Sequence, residues 1–211
     1  MRFLVTAGPT QEPIDPVRYI SNRSSGRMGY AIAEAALEAG HEVTLISGRV
    51  NLEPPPDAKM IPVVTSDDMF AAVTGQIDQT DVLVMCAAVA DYRPAHYSKE
   101  KIKKNSGFRS IELVSTRDIL SSLPRDRKFL AVGFAAETND IETNARKKLH
   151  DKNLDLIVAN DVSRADIGME SANNEVTIFF RNGETKQIER SSKKNVAREL
   201  VKIISNMKKN V

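Results

Sequence analysis

Apolar runs and helical periods alternate along this chain. Positions 3–7 begin with the apolar run Phe3, Leu4 and Val5 and predict a first strand. Positions 26–39 carry Met28, Ile32, Ala35, Ala36 and Ala39 at helical spacing, with Gly40 as the stop. Strands follow at 42–47 and 60–64, separated by a stiff loop over 51–57 that contains Pro54, Pro55 and Pro56. A helix capped at Ser66 or Asp67 extends to Gln76. The run 82–87 is apolar at every position, as in a strand buried on both faces.

The second half is more polar at first. Positions 91–109 are lysine-rich and include Pro94, Asn105 and Gly107, which predicts a flap-like loop. A short strand at 111–114 and a short helix capped by Thr116 and ending near Leu123 come next. Strand 129–134, helix 140–152 and strand 155–159 continue the alternation. Positions 174–180 and 185–189, joined at Asn182-Gly183, read as a hairpin, and a last helix covers 193–207. Repeated strand–helix units with buried strands predict an α/β fold, a doubly wound, mostly parallel Rossmann-like sheet. Ligands of such sheets bind beyond the carboxyl ends of the strands. The polar segments 8–25, 88–105, 135–139 and 160–168 all follow strands and are expected to converge there.

Composition narrows the function. The chain has 211 residues and 41% apolar content, enough for one domain over 1–211. A net charge of +2 and 5% aromatics give no footprint for nucleic acid. One cysteine, Cys86, excludes an intramolecular disulfide, and His41, His96 and His150 show no ligand spacing. No apolar run approaches the roughly 18 residues of a membrane span, and no secretory segment opens the chain, so a cytoplasmic location is expected.

The first loop carries the clearest chemistry. Gly8 follows the first strand, and Ser24, Ser25 and Gly26 open the first helix, where unpaired N–H groups favour an anion. Neither Gly-x-Gly-x-x-Gly nor Gly-x-x-x-x-Gly-Lys-Ser/Thr occurs. Further clusters are Cys86 to Asp91, Lys101 to Lys104, and Phe134 with Lys148 and Lys152 on the following helix. Each also has a plain structural reading. A lysine run suits a solvated loop, Lys148 and Lys152 a wet helix face, Asp91 a turn cap, and Cys86 a packed small residue. Together they suit a nucleotide with several phosphates beside an acidic substrate.

Taken in order, Thr6-Ala7-Gly8-Pro9-Thr10, Ile20-Ser21-Asn22, Ser24-Ser25-Gly26, Ala87-Ala88-Val89-Ala90-Asp91-Tyr92, Lys101-Ile102-Lys103-Lys104, Gly133-Phe134-Ala135-Ala136-Glu137-Thr138 and Asp155-Leu156-Ile157-Val158-Ala159-Asn160-Asp161 closely resemble the phosphopantothenoylcysteine synthetase family over nearly the whole chain. The resemblance implies a ligase joining 4′-phosphopantothenate to L-cysteine with CTP through an acyl-cytidylate, with Mg2+ assisting, in coenzyme A biosynthesis. It implies catalytic roles for Asn22 and Lys101. On the CTP side it implies Met85, Cys86, Ala87, Asp91 and Lys101, then Arg117, Asp118, Ile119 and Leu120, then Phe134, Lys148 and Lys152. On the phosphopantothenate side it implies Arg18, Asn22 and Ala88. Metal ligands are not implied. A homodimer is implied, as is a functional partnership with a decarboxylase domain often fused ahead of the synthetase. This chain begins at the synthetase strand, as a free-standing enzyme or an excised domain, and no flavin is expected in it. Arg27 departs from the lysine of many members. A nicotinamide-dependent reductase and a non-catalytic nucleotide-binding module are the alternatives; the missing glycine fingerprint argues against the first.

Overall fold

The computed structural model describes residues 1–104, 110–161 and 173–209. Its first part contains β1 (Arg2–Ala7), β2 (Gln11–Pro13), β3 (Tyr19–Ser21), α1 (Arg27–Glu38), β4 (Glu42–Ser47), β5 (Lys59–Pro62), α2 (Ser66–Gln76) and β6 (Val82–Met85). The ribbon β7 (Tyr92–Pro94) and β8 (Leu113–Ser115) leads to β9 (Leu130–Glu137), α3 (Ile141–Asp151) and β10 (Leu156–Asp161). The hairpin β11 (Asn173–Phe180) and β12 (Thr185–Ser192) precedes α4 (Lys193–Lys209).

Eight strands form one sheet in the order β12-β11-β10-β9-β6-β1-β4-β5. From β10 to β5 every pairing is parallel, while β11 and β12 extend the edge antiparallel. This is the doubly wound sheet expected from the pattern. Chain order runs outward from β1 to β4 on one side and to β6 on the other, so the topological switch point lies between β1 and β6.

Alternation along each strand feeds two cores. Phe3, Val5, Val84, Val132 and Val158 pack with α1 and α4. Leu4, Leu83, Ala131 and Ile157 point to the other face, with Met69 and Val73 of α2 and Leu149 of α3. Burial on both faces is why these strands read as continuous apolar runs. Gly29 sets the height of α1 above the sheet. A Cβ there would lie 2.6 Å from Ala7 Cβ and 2.9 Å from the Thr6 carbonyl oxygen. Only glycine lets the first turn of the helix come down onto the end of β1.

Several local expectations change. The loop 8–25 contains the small β2–β3 hairpin, which its prolines and polar residues concealed. Ala39 is exposed rather than buried, because α1 ends at Glu38 and the chain turns away through Gly40. Thr65, not Ser66 or Asp67, caps α2, in a reciprocal box with Asp68. β6 leaves the sheet after Met85, so Cys86 and Ala87 lie beyond it. The expected loop at 91–109 includes β7, and β8 begins two residues later than expected. Thr116 caps nothing; its hydroxyl donates to the Ala90 carbonyl at 2.6 Å. The short helix is one 3-10 turn, Leu120–Ser122, where Asp118 Oδ1 accepts from the Ser121 N–H at 3.0 Å. Asn105 and Gly107 of the expected flap, and 162–168 of the fourth polar segment, lie outside the described residues.

Candidate active site

The end of β1 and the end of β6 are stitched together past the last ladder bonds. Thr6 is buried, and its hydroxyl oxygen accepts from the N–H groups of Cys86 and Ala87, both at 3.1 Å. Ala88 N–H donates to the Gly8 carbonyl at 2.9 Å, and Thr10 N–H to the Ala88 carbonyl at 3.2 Å. Thr10 Oγ1 then accepts from Ala90 N–H at 2.9 Å. Two threonines thus hold segment 86–90 as a floor beyond the sheet. Asn22 reaches across to it, its Nδ2 donating to the carbonyls of Ala88 and Val89 at 3.2 Å each.

Above this floor opens a cavity of about 440 Å³. One wall is the entry to α1: Ser24, Ser25, then Gly26 in the left-handed region at φ 74 as the residue before the helix. Glycine there leads the chain into α1 with its first N–H groups on the cavity wall. Asn22, Ala88 and Cys86 lie on the same lining, with Asn160 at the end of β10, Asn174 of β11 and Lys193 at the start of α4. Among the described lining residues, Arg23, Arg27, Lys148 and Lys193 accompany a single carboxylate, Asp91. Lys193 is only 6% exposed. Burial, then the nearby Arg27 charge, lowers its affinity for a proton below that of an ordinary lysine. A wall with this charge balance and a helix N-terminus is built for an anion.

A second recess of about 290 Å³ adjoins the first and shares Ala87, Val89, Asp91, Phe134 and Lys148 with it. Its lining holds Met85, Arg117, Asp118, Ile119, Leu120 and Lys152 as well. All of the CTP-side expectations meet here except Cys86, which lines the larger cavity, and Lys101, which lines neither. Lys148 Nζ donates to the Phe134 carbonyl at 3.2 Å. Lys152 pairs with Asp118 and donates to Ser121 Oγ at 3.1 Å. Burial raises the Asp118 pKa; its bonds to Lys152 and the Ser121 N–H outweigh this and hold it below the usual carboxylate range. The Arg117 guanidinium sits 5.0 Å over the Phe70 ring and 3.6 Å from Asp67, which ties the recess to α2.

Arg18 and Gly8 also lie outside both linings. Gly8 turns the chain below the floor, and Arg18 belongs to the turn of the β2–β3 hairpin. Burial pushes the Cys86 thiol up to about 12, so it stays protonated and serves as a packed small residue. Asn174 and Lys193 were not anticipated as site residues. Their burial in the crevice comes from the return of β11, β12 and α4 onto the parallel sheet, a long-range event with no local signature. Asn160 did carry a signal, since it heads the last polar segment expected in the crevice. Among the described residues no group of three His, Cys, Asp or Glu side chains forms a metal cage. No described helix is long and apolar enough to cross a membrane.

Known proteins resemble this chain in sequence and in fold. The chain is 46% identical over 210 residues to the coenzyme A biosynthesis bifunctional protein CoaBC of Vibrio vulnificus, covering 97% of this chain and 52% of that protein. To the CoaBC of Bacillus subtilis it is 48% identical over 208 residues, covering 98% of this chain and 51% of that protein. The chain therefore spans about half the length of the curated relatives it matches. A crystal structure of the C-terminal domain of a CoaBC superposes with a TM-score of 0.85 at 43% identity, covering 100% of this chain and 96% of the other. A Cab2 variant in complex with phosphopantothenate-cysteine has the same fold, with a TM-score of 0.82 at 16% identity, covering 99% of this chain and 86% of that one. Residues 1–207 match the family described as the DNA/pantothenate metabolism flavoprotein C-terminal domain, and the chain belongs to that family.

Proposed function

We propose that this chain is a phosphopantothenate–cysteine ligase of coenzyme A biosynthesis that activates its acid with CTP. The observation that carries the reading is the wall of Asp91, Phe134 and Lys148 shared by the two compartments. A nucleotide in the smaller recess and an acid in the larger cavity would meet at this wall, where the α-phosphorus has to stand. Relatives named for coenzyme A biosynthesis support the same assignment.

In the first step a phosphopantothenate carboxylate oxygen bonds to the α-phosphorus. The bond to the β-phosphate oxygen breaks and pyrophosphate leaves. Lys148, Lys193 and Arg27 offset charge on the phosphoryl groups, and Lys101 is assigned to the nucleotide phosphates from the loop above. In the second step the cysteine amine attacks the acyl carbon, an amide forms and CMP leaves. Asn22 acts here. Its Nδ2 is held by two main-chain carbonyls, so Oδ1 is left to accept from the incoming amine, and exchange of one Nδ2 bond would support the carbonyl oxygen as charge develops. Magnesium fits a site of this kind, because it takes most of its ligands from phosphate and water, with Asp91 as a carboxylate on the shared wall. It would neutralise charge on the leaving pyrophosphate.

A homodimer and a partner decarboxylase belong to the same proposal. Tyr19, Tyr92, Tyr97, Leu113 and Val114 expose apolar surface on and beside the β2–β3 and β7–β8 ribbons, and a second copy is the expected cover. Arg18 would reach phosphopantothenate only across such a dimer, since it lines neither compartment of its own chain.

The test is pyrophosphate release with phosphopantothenate, cysteine, magnesium and either CTP or ATP. Release with CTP that depends on phosphopantothenate and yields CMP supports the reading. Release with ATP alone overturns the nucleotide assignment. Binding of CTP without release favours a non-catalytic module.

A further inference from the structure

A polar knot that lines neither compartment ties the β2–β3 hairpin to the segment carrying Lys101. Asp15, in the turn of the β2–β3 hairpin, is 2% exposed. Its Oδ1 accepts from the N–H groups of Val17 and Arg18, each at 2.9 Å. Its Oδ2 accepts from Arg18 Nε at 3.1 Å, from Arg18 Nη2, and from the N–H of Ile102 at 3.1 Å. Arg18 Nη2 donates in turn to the Ile102 carbonyl at 2.8 Å. Ser98 N–H donates to the Ile14 carbonyl at 3.0 Å, a second tie between the same segments.

The local turn explains only part of this. An aspartate that closes a turn needs the two N–H bonds on Oδ1 and nothing more. On Oδ2 the bond from the Ile102 N–H instead reaches 87 residues along the chain, and with the Arg18 bond to the Ile102 carbonyl both main-chain groups of that residue are taken. That residue directly follows Lys101. A lysine on an untethered loop samples a large volume, whereas fixing the adjacent peptide narrows where its ammonium can stand.

We propose that Asp15 and Arg18 form a clamp that holds Ile102 and so positions Lys101 for the nucleotide phosphates; this rests on the role given to Lys101 under Proposed function. Asp15 is a positioning residue and touches no substrate. The guanidinium, despite partial desolvation, together with the Val17, Ile102 and Arg18 N–H groups, keeps its carboxyl ionised well below the usual carboxylate range, so the clamp stays charged at any working pH.

Asp15→Asn keeps the Oδ1 acceptor of the turn but loses the charge and the acceptor for Ile102. Ile102→Pro removes that N–H without touching the hairpin. For both variants phosphopantothenate-dependent pyrophosphate release is expected to fall tenfold or more. Trypsin is expected to cut at Lys101, Lys103 or Lys104 several-fold faster than in the parent. The decisive readout is the pairing with Lys101→Gln. If the clamp acts through Lys101, Asp15→Asn/Lys101→Gln is no slower than Lys101→Gln alone. Full multiplication of the two losses overturns the clamp, as does parental turnover in both Asp15→Asn and Ile102→Pro while Lys101→Gln is impaired. If Lys101→Gln itself turns over normally, the lysine assignment falls and the proposal with it, whatever the trypsin digests show.

Discussion

On the proposed function, single side chains in this crevice divide into those that would meet substrate and those that shape the floor. Asn22 is proposed for the first group. Asn22→Asp is expected to slow the second step by about 100-fold, the scale of losing one polarising donor. Acyl-cytidylate should then accumulate in quenched reactions analysed by mass spectrometry; normal turnover without it would remove Asn22 from the mechanism. Cys86 belongs to the second group. Its folded pKa of about 12 lies above the unfolded value near 8.5. The native chain therefore holds a proton that the unfolded chain releases. Stability from this group is complete below about pH 8.5 and declines as pH rises toward 12. Urea midpoints should fall between pH 8 and pH 10 by more in the parent than in Cys86→Ala. Cys86, Asn22 and Lys101 were visible as positions in motifs. The packed reading of Cys86 followed from its apolar run, whereas the tether behind Lys101 was not legible, because it depends on a partner distant in sequence.

At the scale of elements, the contact of α1 with β1 decides where the anion wall stands. Gly29 has no room for a side chain against Ala7 and the Thr6 carbonyl, so Gly29→Ala must lift the helix. A destabilisation of about 1–3 kcal/mol is expected from such overpacking. At about 2–4 °C per kcal/mol for a chain of this size, the loss is measurable by calorimetry. KM for the anionic substrates should rise with it, because Ser24, Ser25 and Gly26 move with the helix start. An unchanged melting temperature would mean that the packing at Gly29 is looser than its contacts indicate. The boundaries of α1, β4, α3 and the β11–β12 hairpin were legible in apolar spacing and in Gly40 and Asn182-Gly183, since their signals are local. The β2–β3 hairpin was not, and the short helix expected to end near Leu123 is only one 3-10 turn, Leu120–Ser122. Short elements are held by tertiary bonds such as the Asp15 knot and carry too few residues for a period.

For the whole molecule, the decisive arrangement is a crevice at the switch point between β1 and β6 with an exposed apolar ribbon beside it. If a second copy covers that ribbon, Leu113→Asp with Val114→Lys should convert a dimer to a monomer in sedimentation velocity. A parent that sediments as a monomer at micromolar concentration would overturn the dimer. The sequence by itself determined the parallel α/β class, the order of its main elements and the gathering of polar segments behind strand ends, because apolar period and turn chemistry are local properties written along the chain. Only the tertiary structure decided that the expected residues divide between two compartments with one shared wall. It also decided that Lys193 and Asn174 complete the larger one, and that Asp15 and Arg18 grip the loop beside Lys101. Those facts arise where segments far apart in sequence are brought into contact by burial of both sheet faces, and no local pattern encodes the distance between them.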